Sequence, residues 1–180
     1  MATLSRRVRS WPATVTSSLS SLPSAGANLR RVRIAGGAFD PHAELADFAN
    51  GRESAGGIVS FLGQVRQEPG DAVEALELRH FAPLTLPGME QLVVRAESHW
   101  PLMAVLVVHR VGVMMPGDPI VLVACAAKHR RDAFASADFL MDHLKSSAWF
   151  WKREKTGEGW RWIEPRDSDH ADLTRWQDVP

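Results

Sequence analysis

Apolar positions along the chain first become periodic near Val32. Ahead of it, residues 1–30 mix arginines with a Ser-rich run, Ser17, Ser18, Ser20, Ser21 and Ser24, and show no sustained apolar period. They read as a disordered extension, either a plain tail or a transit peptide, and the folded domain is assigned to residues 31–180. A short strand is predicted over residues 32–35. Asp40-Pro41 then reads as helix cap and first helical position, Leu45 and Phe48 share one face, and Asn50-Gly51 stops the helix. Residues 57–62 and 73–81 read as strands, with Leu76, Leu78 and His80 alternating against Glu77, Arg79 and Phe81. The polar stretch 64–72 between them contains Pro69-Gly70-Asp71, which is loop chemistry.

Pro87 is placed at the start of a second helix, because Met89, Leu92, Val93, Ala96 and Trp100 recur on one face before Pro101 ends it. Residues 103–111 and 120–127 are near-continuous apolar runs joined through Pro116-Gly117-Asp118-Pro119, so they form a buried strand pair around a turn, at the centre of the sheet. A third helix over 131–147 puts Phe134, Ala137, Leu140, Met141 and Leu144 on one stripe. Strands at 149–154 and 160–164 flank a turn at Gly157-Glu158-Gly159. The order β-α-β-β-α-β-β-α-β-β, with its adjacent strand pairs, implies an α+β domain with about three helices on a mixed or antiparallel sheet.

Composition narrows the function classes. Lys+Arg and Asp+Glu both total 21, but residues 1–39 hold six arginines and no acid, so from Asp40 onward 15 basic residues face 21 acidic ones. A mildly acidic body disfavours nucleic acid as partner, and any basic cluster within it stands out. The single cysteine, Cys125, excludes an internal disulfide and every multi-cysteine metal arrangement, and it fits a reducing, cytoplasmic setting. No apolar run approaches the ~20 residues of a transmembrane helix. Phosphate-loop, nucleophile-elbow and zinc-helix motifs are all missing from the sequence.

What remains is a set of cations at element ends. Lys128-His129-Arg130-Arg131 opens the third helix, Lys145 lies in its last turn, Lys152-Arg153 follows on the next strand, and Arg66 closes Phe61-Leu62-Gly63-Gln64-Val65-Arg66. If helix and strand fold back on each other, these groups converge into one anion pocket, with Arg as a fork of donors and Lys as a mobile point charge. The bland readings are a surface pair of Lys145 with Asp142 and strand-edge charges at Lys152 and Arg153. His80, on an apolar strand face, reads as a satisfied core histidine. Cys125 reads as a small buried hydrophobe rather than a sulfur carrier.

Four segments resemble the large, catalytic subunit of molybdopterin synthase, the MoaE family, in that family's order and spacing. They are Phe61-Leu62-Gly63-Gln64-Val65-Arg66; His109-Arg110-Val111-Gly112 with Pro116-Gly117-Asp118; His129-Arg130-Arg131-Asp132-Ala133-Phe134; and Asp142-His143-Leu144-Lys145 running on to Trp149-Phe150-Trp151-Lys152-Arg153-Glu154. The resemblance implies an α/β hammerhead-type fold and a homodimer that carries a small ubiquitin-like sulfur-carrier subunit at each end, making a heterotetramer. The small subunit's Gly-Gly tail brings a C-terminal thiocarboxylate, and its sulfur passes in two rounds to cyclic pyranopterin monophosphate to build the molybdopterin dithiolene, with no metal or other cofactor needed. By the same resemblance Lys145 and Lys152 are catalytic, Arg66, His129 and Arg130 bind the precursor, and Gln64, Val65, Arg153 and Glu154 line the pocket. The sequence departs from the family pattern at Trp149, where proline is usual, at Phe81, often tyrosine, and at the long link 82–87. The competing reading is a non-catalytic anion- or tail-binding module of the same fold, although simple anion binding would tolerate arginine at either lysine.

Overall fold

The computed structural model describes residues 29–67, 73–146, 149–164 and 172–177. The expected extension therefore lies outside the described residues save for Leu29 and Arg30, which belong to the first strand. In chain order the elements are β1 (Leu29–Ala35), α1 (Pro41–Ala49), β2 (Gly57–Gln64), β3 (Ala75–His80), α2 (Ala82–His99), β4 (Leu102–Arg110), β5 (Gly112–Met114), β6 (Pro119–Ala127), α3 (Arg130–Ser146), β7 (Phe150–Thr156) and β8 (Gly159–Ile163). The α+β reading holds, but the strands divide between two four-stranded sheets, ordered β1-β4-β6-β2 and β5-β3-β7-β8. The first is mixed, β1 running parallel to β4; each pairing in the second is antiparallel.

The apolar runs of β4 and β6 are continuous because both faces of their sheet are covered. Ala104, Leu106, Val108, Leu122, Ala124 and Ala126 pack toward Phe48 of α1, while Val105, Val107, Val121, Val123 and Cys125 pack with Met89, Val93, Phe139 and Leu140 of α2 and α3. Asp40 caps α1 as expected, its carboxylate accepting from the backbone N–H of His42 at 2.9 Å and of Ala43 at 3.2 Å. A smaller cluster of Val65, Leu76, Leu78 and Met114 joins the second sheet to the first.

Four expectations are corrected. Helix α2 begins at Ala82, with a proline in its first turn, and Pro87 lies inside it; the segment 82–87 is helix, not a long link. The connection between β4 and β6 contains the extra strand β5, which leaves the first sheet and pairs with β3. Phe134 is 62% exposed, and Ala133, Ala137, Leu140, Met141 and Leu144 line the buried side of α3. The His80 side chain is half-buried, and its buried Nδ1 has no hydrogen-bond partner among the described residues. Among the described residues, no helix is long and apolar enough to cross a membrane.

Candidate functional site

Two rulers fix where the candidate residues lie. Strands β2 and β6 pair from Gly57↔Ala127 to Gln64↔Pro119, an eight-residue ladder that spans about 23 Å at the usual strand rise. Helix α3 leaves β6 at the Ala127 end and runs back over β6 and β2 for 17 residues, roughly 24 Å. His129 and Arg130 therefore sit at the Gly57 end. Gln64, Val65, Arg66 and Lys145 sit at the Pro119 end.

Lys152 belongs with the second group. Its strand pairs Lys152 with Leu78, a neighbour of Val65 in the smaller cluster, and Phe150 of the same strand stacks on His109 at the Val121 end of β4, with ring centroids 3.9 Å apart and planes at 15°. Lys145 and Lys152 are both exposed. Val65 is 5% exposed, so it supports the site from beneath, and its backbone is pinned by Val65 N–H to Asp118 O at 3.0 Å and Gly117 N–H to Val65 O at 2.8 Å. The Gln64 side chain donates to Gly117 O at 3.0 Å.

Arg153 and Glu154 part company with each other. On β7, Phe150, Lys152 and Glu154 share the register of His80, Leu78 and Leu76, while Trp151 and Arg153 face the other way beside Arg79 and Glu77. The Arg153 guanidinium donates to Glu77 and lies over the rings of Trp160 at 4.6 Å and Trp162 at 5.5 Å. Burial pushes the Glu77 carboxyl up, but hydrogen bonds from Arg153 and Arg79 outweigh it and hold the group below its ordinary value. Glu154 faces Arg161 at 3.6 Å. Arg153 is thus committed to the outer face of the second sheet, away from Lys152.

At the other end, an open cleft of about 540 Å³ is lined by Gly56, Lys128, His129, Arg130, Arg131 and Asp132. It opens on the first turn of α3, where His129 O accepts from Asp132 and Ala133, and the N–H groups of Arg130 and Arg131 ahead of them have no acceptor within the helix, at the positive end of its dipole. Lys128, Arg130 and Arg131 beside a helix N-terminus make a lining whose chemistry suits an anion. The part sequence reasoning missed is Gly56: a Cβ there would lie 2.0 Å from Lys128 O, so only glycine lets β2 and the start of α3 approach this closely. A glycine pair directly ahead of an apolar run was the available signal.

The surroundings of Asp142 and of Cys125 bear on the surface reading of Lys145 and on a sulfur role for the cysteine. Asp142, only 7% exposed, accepts through Oδ2 from Arg175 Nε at 2.8 Å and Trp176 Nε1 at 2.7 Å, so this carboxylate ties the segment around Trp176 to α3. Cys125 is fully buried, and desolvation pushes its thiol up to about 11 despite a hydrogen bond with Ser136.

The family described as MoaE protein matches residues 35–147. A molybdopterin synthase catalytic subunit from Salmonella typhimurium is 48% identical over 126 residues, 69% of this chain and 84% of that one. One from Ralstonia nicotianae is 43% identical over 146 residues, 81% and 83% respectively. Among solved structures, a molybdopterin biosynthesis MoaE protein from Burkholderia ambifaria superposes with a TM-score of 0.69 at 42% identity, covering 82% of this chain and 98% of the other.

Proposed function

Because the chain belongs to the MoaE family, we propose that it is the catalytic subunit of a molybdopterin synthase, moving sulfur from the C-terminal thiocarboxylate of a small ubiquitin-like subunit to cyclic pyranopterin monophosphate. One observation carries the chemistry. The chain's only thiol is buried and its pKa raised, while its pocket residues are cations, so the protein supplies charge and the sulfur arrives from outside. A thiocarboxylate and a phosphate repel each other, and opposed positive charge is what lets them meet. Lys145 neutralises the tail, and once the tail's sulfur has bonded to the precursor as a thioester, it assists the attack of water that breaks the acyl C–S bond, releasing the tail as a carboxylate and leaving the sulfur on the pterin. Lys152 holds charge beside it, and Arg66 offers a fork of donors to the precursor's phosphate.

The pocket is composite. His129 and Arg130 stand about 23 Å from Gln64 and Arg66 along the β2–β6 ladder, a span longer than one pterin. A homodimer resolves this, because a two-fold interface can set the cleft at the start of α3 of one subunit against the two lysines of the other, twice over. Lys145→Ala and Arg130→Ala homodimers are each expected to lose turnover with the thiocarboxylated small subunit, as is Lys145→Arg, whose fixed charge cannot shuttle a proton. Co-refolding the two alanine variants should restore about a quarter of wild-type turnover, since half the dimers are mixed and each mixed dimer holds one intact site. An isolated mixed dimer without activity would end the composite assignment. Wild-type turnover in Lys145→Ala alone would end its catalytic role.

A further inference from the structure

Helix α2 contains a glycine at position 88 that its own geometry does not require. A Cβ at Gly88 would lie 2.6 Å from Cε2 of Trp149 and 2.7 Å from its Cζ2 and Nε1, so the indole occupies the space that any side chain would need. Glycine weakens a helix interior relative to alanine. Here it forms a notch for one ring. Thr85, fully buried and one turn earlier, is within 3.2 Å of the Trp149 carbonyl through Oγ1 and within 3.0 Å of the Phe81 carbonyl, so its single proton is shared between them. One turn of α2 thus holds both the ring and the backbone of Trp149. The next residue, Phe150, is held by its stack on His109 of β4.

These anchors fall between Lys145 in the last turn of α3 and Lys152 on β7. Proline, the residue common in the family at this position, stiffens the backbone through its own ring by fixing φ. Tryptophan has no such constraint, so stiffness at this position must come from contacts. We infer that Trp149 is a positioning residue for the sulfur-transfer site: docked in the notch formed by Gly88 and Thr85, it sets the placement of Lys152 relative to Lys145. The ring packs against α2 and the core. The inference rests on the catalytic reading of the two lysines.

The test uses the full chain with thiocarboxylated small subunit and pterin precursor. Trp149→Ala empties the notch, and Gly88→Ala fills it with a methyl that displaces the ring. Each should lower kcat by about tenfold or more with the precursor KM unchanged, as expected when catalytic groups are misplaced but still present. The double variant should be no slower than Trp149→Ala, because the methyl then has nothing to displace. Trp149→Pro should recover most of kcat by restraining the backbone without the notch. Amide hydrogen exchange across Phe150–Lys152, measured without substrate, should speed up in Trp149→Ala and Gly88→Ala and return in Trp149→Pro. Wild-type kcat in both alanine variants, additive losses in the double variant, or a Trp149→Pro enzyme as slow as Trp149→Ala would overturn the inference. If Lys145→Ala proved active, the catalytic reading would fall by itself, and unchanged exchange protection in both alanine variants would still overturn the docking.

Discussion

Cys125 is the residue a sulfur-transfer enzyme would tempt one to misassign, and burial decides the matter. It is fully buried in β6, and desolvation raises its thiol to about 11, so almost no thiolate exists near neutral pH. Cys125→Ser should leave sulfur transfer intact while costing about 1–3 kcal/mol for an imperfectly satisfied hydroxyl in an apolar layer. Chemical denaturation beside a turnover assay measures both, and a folded variant without turnover would make Cys125 a sulfur carrier. His109 carries a pH dependence of its own. Burial lowers its pKa from 6.5 to about 4, against the hydrogen bond its Nδ1–H donates to Arg110 O at 3.1 Å. The folded state therefore binds fewer protons than the unfolded one between those values. Its contribution is fully present above pH 6.5 and is lost as pH falls toward 4, on the order of 3 kcal/mol. Glu77, also held below its ordinary value, acts in the same direction, so the informative quantity is a difference. His109→Phe keeps an aromatic ring against Phe150 and removes the titration. Its stability should fall less than wild type's between pH 7 and 4.5 in urea melts, and parallel losses would show that His109 protonates without penalty.

At the scale of elements, what was legible was whatever depends on local chemistry. The Asp40-Pro41 cap, the apolar runs of β4 and β6, and the turn at Pro116-Gly117-Asp118 all read correctly, since cap, burial and turn each leave a mark within a few residues. Helix α2 was misread at its start because two prolines satisfy the same signal: Pro83 occupies the first turn, and Pro87 stays inside the helix, where it removes only the N–H that would have bonded Pro83 O. Phe134 was misplaced on α3 because it and Ala133 are adjacent apolar residues at the edge of one stripe, and only the sheet beneath chooses between them. Ala133 is the one fully buried. The join between β2 and α3 depends on such close approach as well. Gly56→Ala sets a methyl 2.0 Å from a backbone carbonyl that no rotamer change can move, so the strand or the helix start must shift. The expected cost is about 1–3 kcal/mol, together with weakened binding of the precursor if His129 and Arg130 beside it take part as proposed. Calorimetric titration of the precursor into the variant tests the second part, and unchanged affinity with unchanged stability would mean the approach relaxes cheaply.

For the whole molecule, the cations were readable as a set but not as two groups. A sequence gives the order of Lys128, Arg130, Lys145 and Lys152. It does not say that Arg130 and Lys145 stand a whole 17-residue helix apart while Lys152 lies on a strand of the second sheet, because helix length becomes distance only once the packing direction is known. Arg153 was misgrouped for a related reason: alternation along β7 turns it to the face of Glu77 and Trp162, opposite its neighbour Lys152. The start of the fold shows how far a boundary read from composition can drift. Leu29 and Arg30, polar-flanked and aperiodic in sequence, pair with Ala104 and Val105 in β1, and Arg30, Arg31 and Arg33 bind Glu97, Asp47 and Glu44 across the helices. The six arginines of the first 39 residues are thus of two kinds, three that lie outside the described residues and three on the edge strand. Two truncations separate them. A chain starting at Leu29 should keep wild-type Tm and turnover, because the removed segment carries little apolar surface to offset the roughly 1–2 kcal/mol per residue that ordering costs. A chain starting after Ala35 loses an edge strand whose Val32 and Ile34 pack on the core and whose Ala35 is 7% exposed. At about 1 kcal/mol for each partly buried side chain plus the lost ladder bonds, and some 2–4 °C per kcal/mol for a chain of this size, Tm should drop by about 10 °C or more. Thermal melts of the three chains decide it: a drop already present in the chain starting at Leu29 would place part of residues 1–28 inside the cooperative unit.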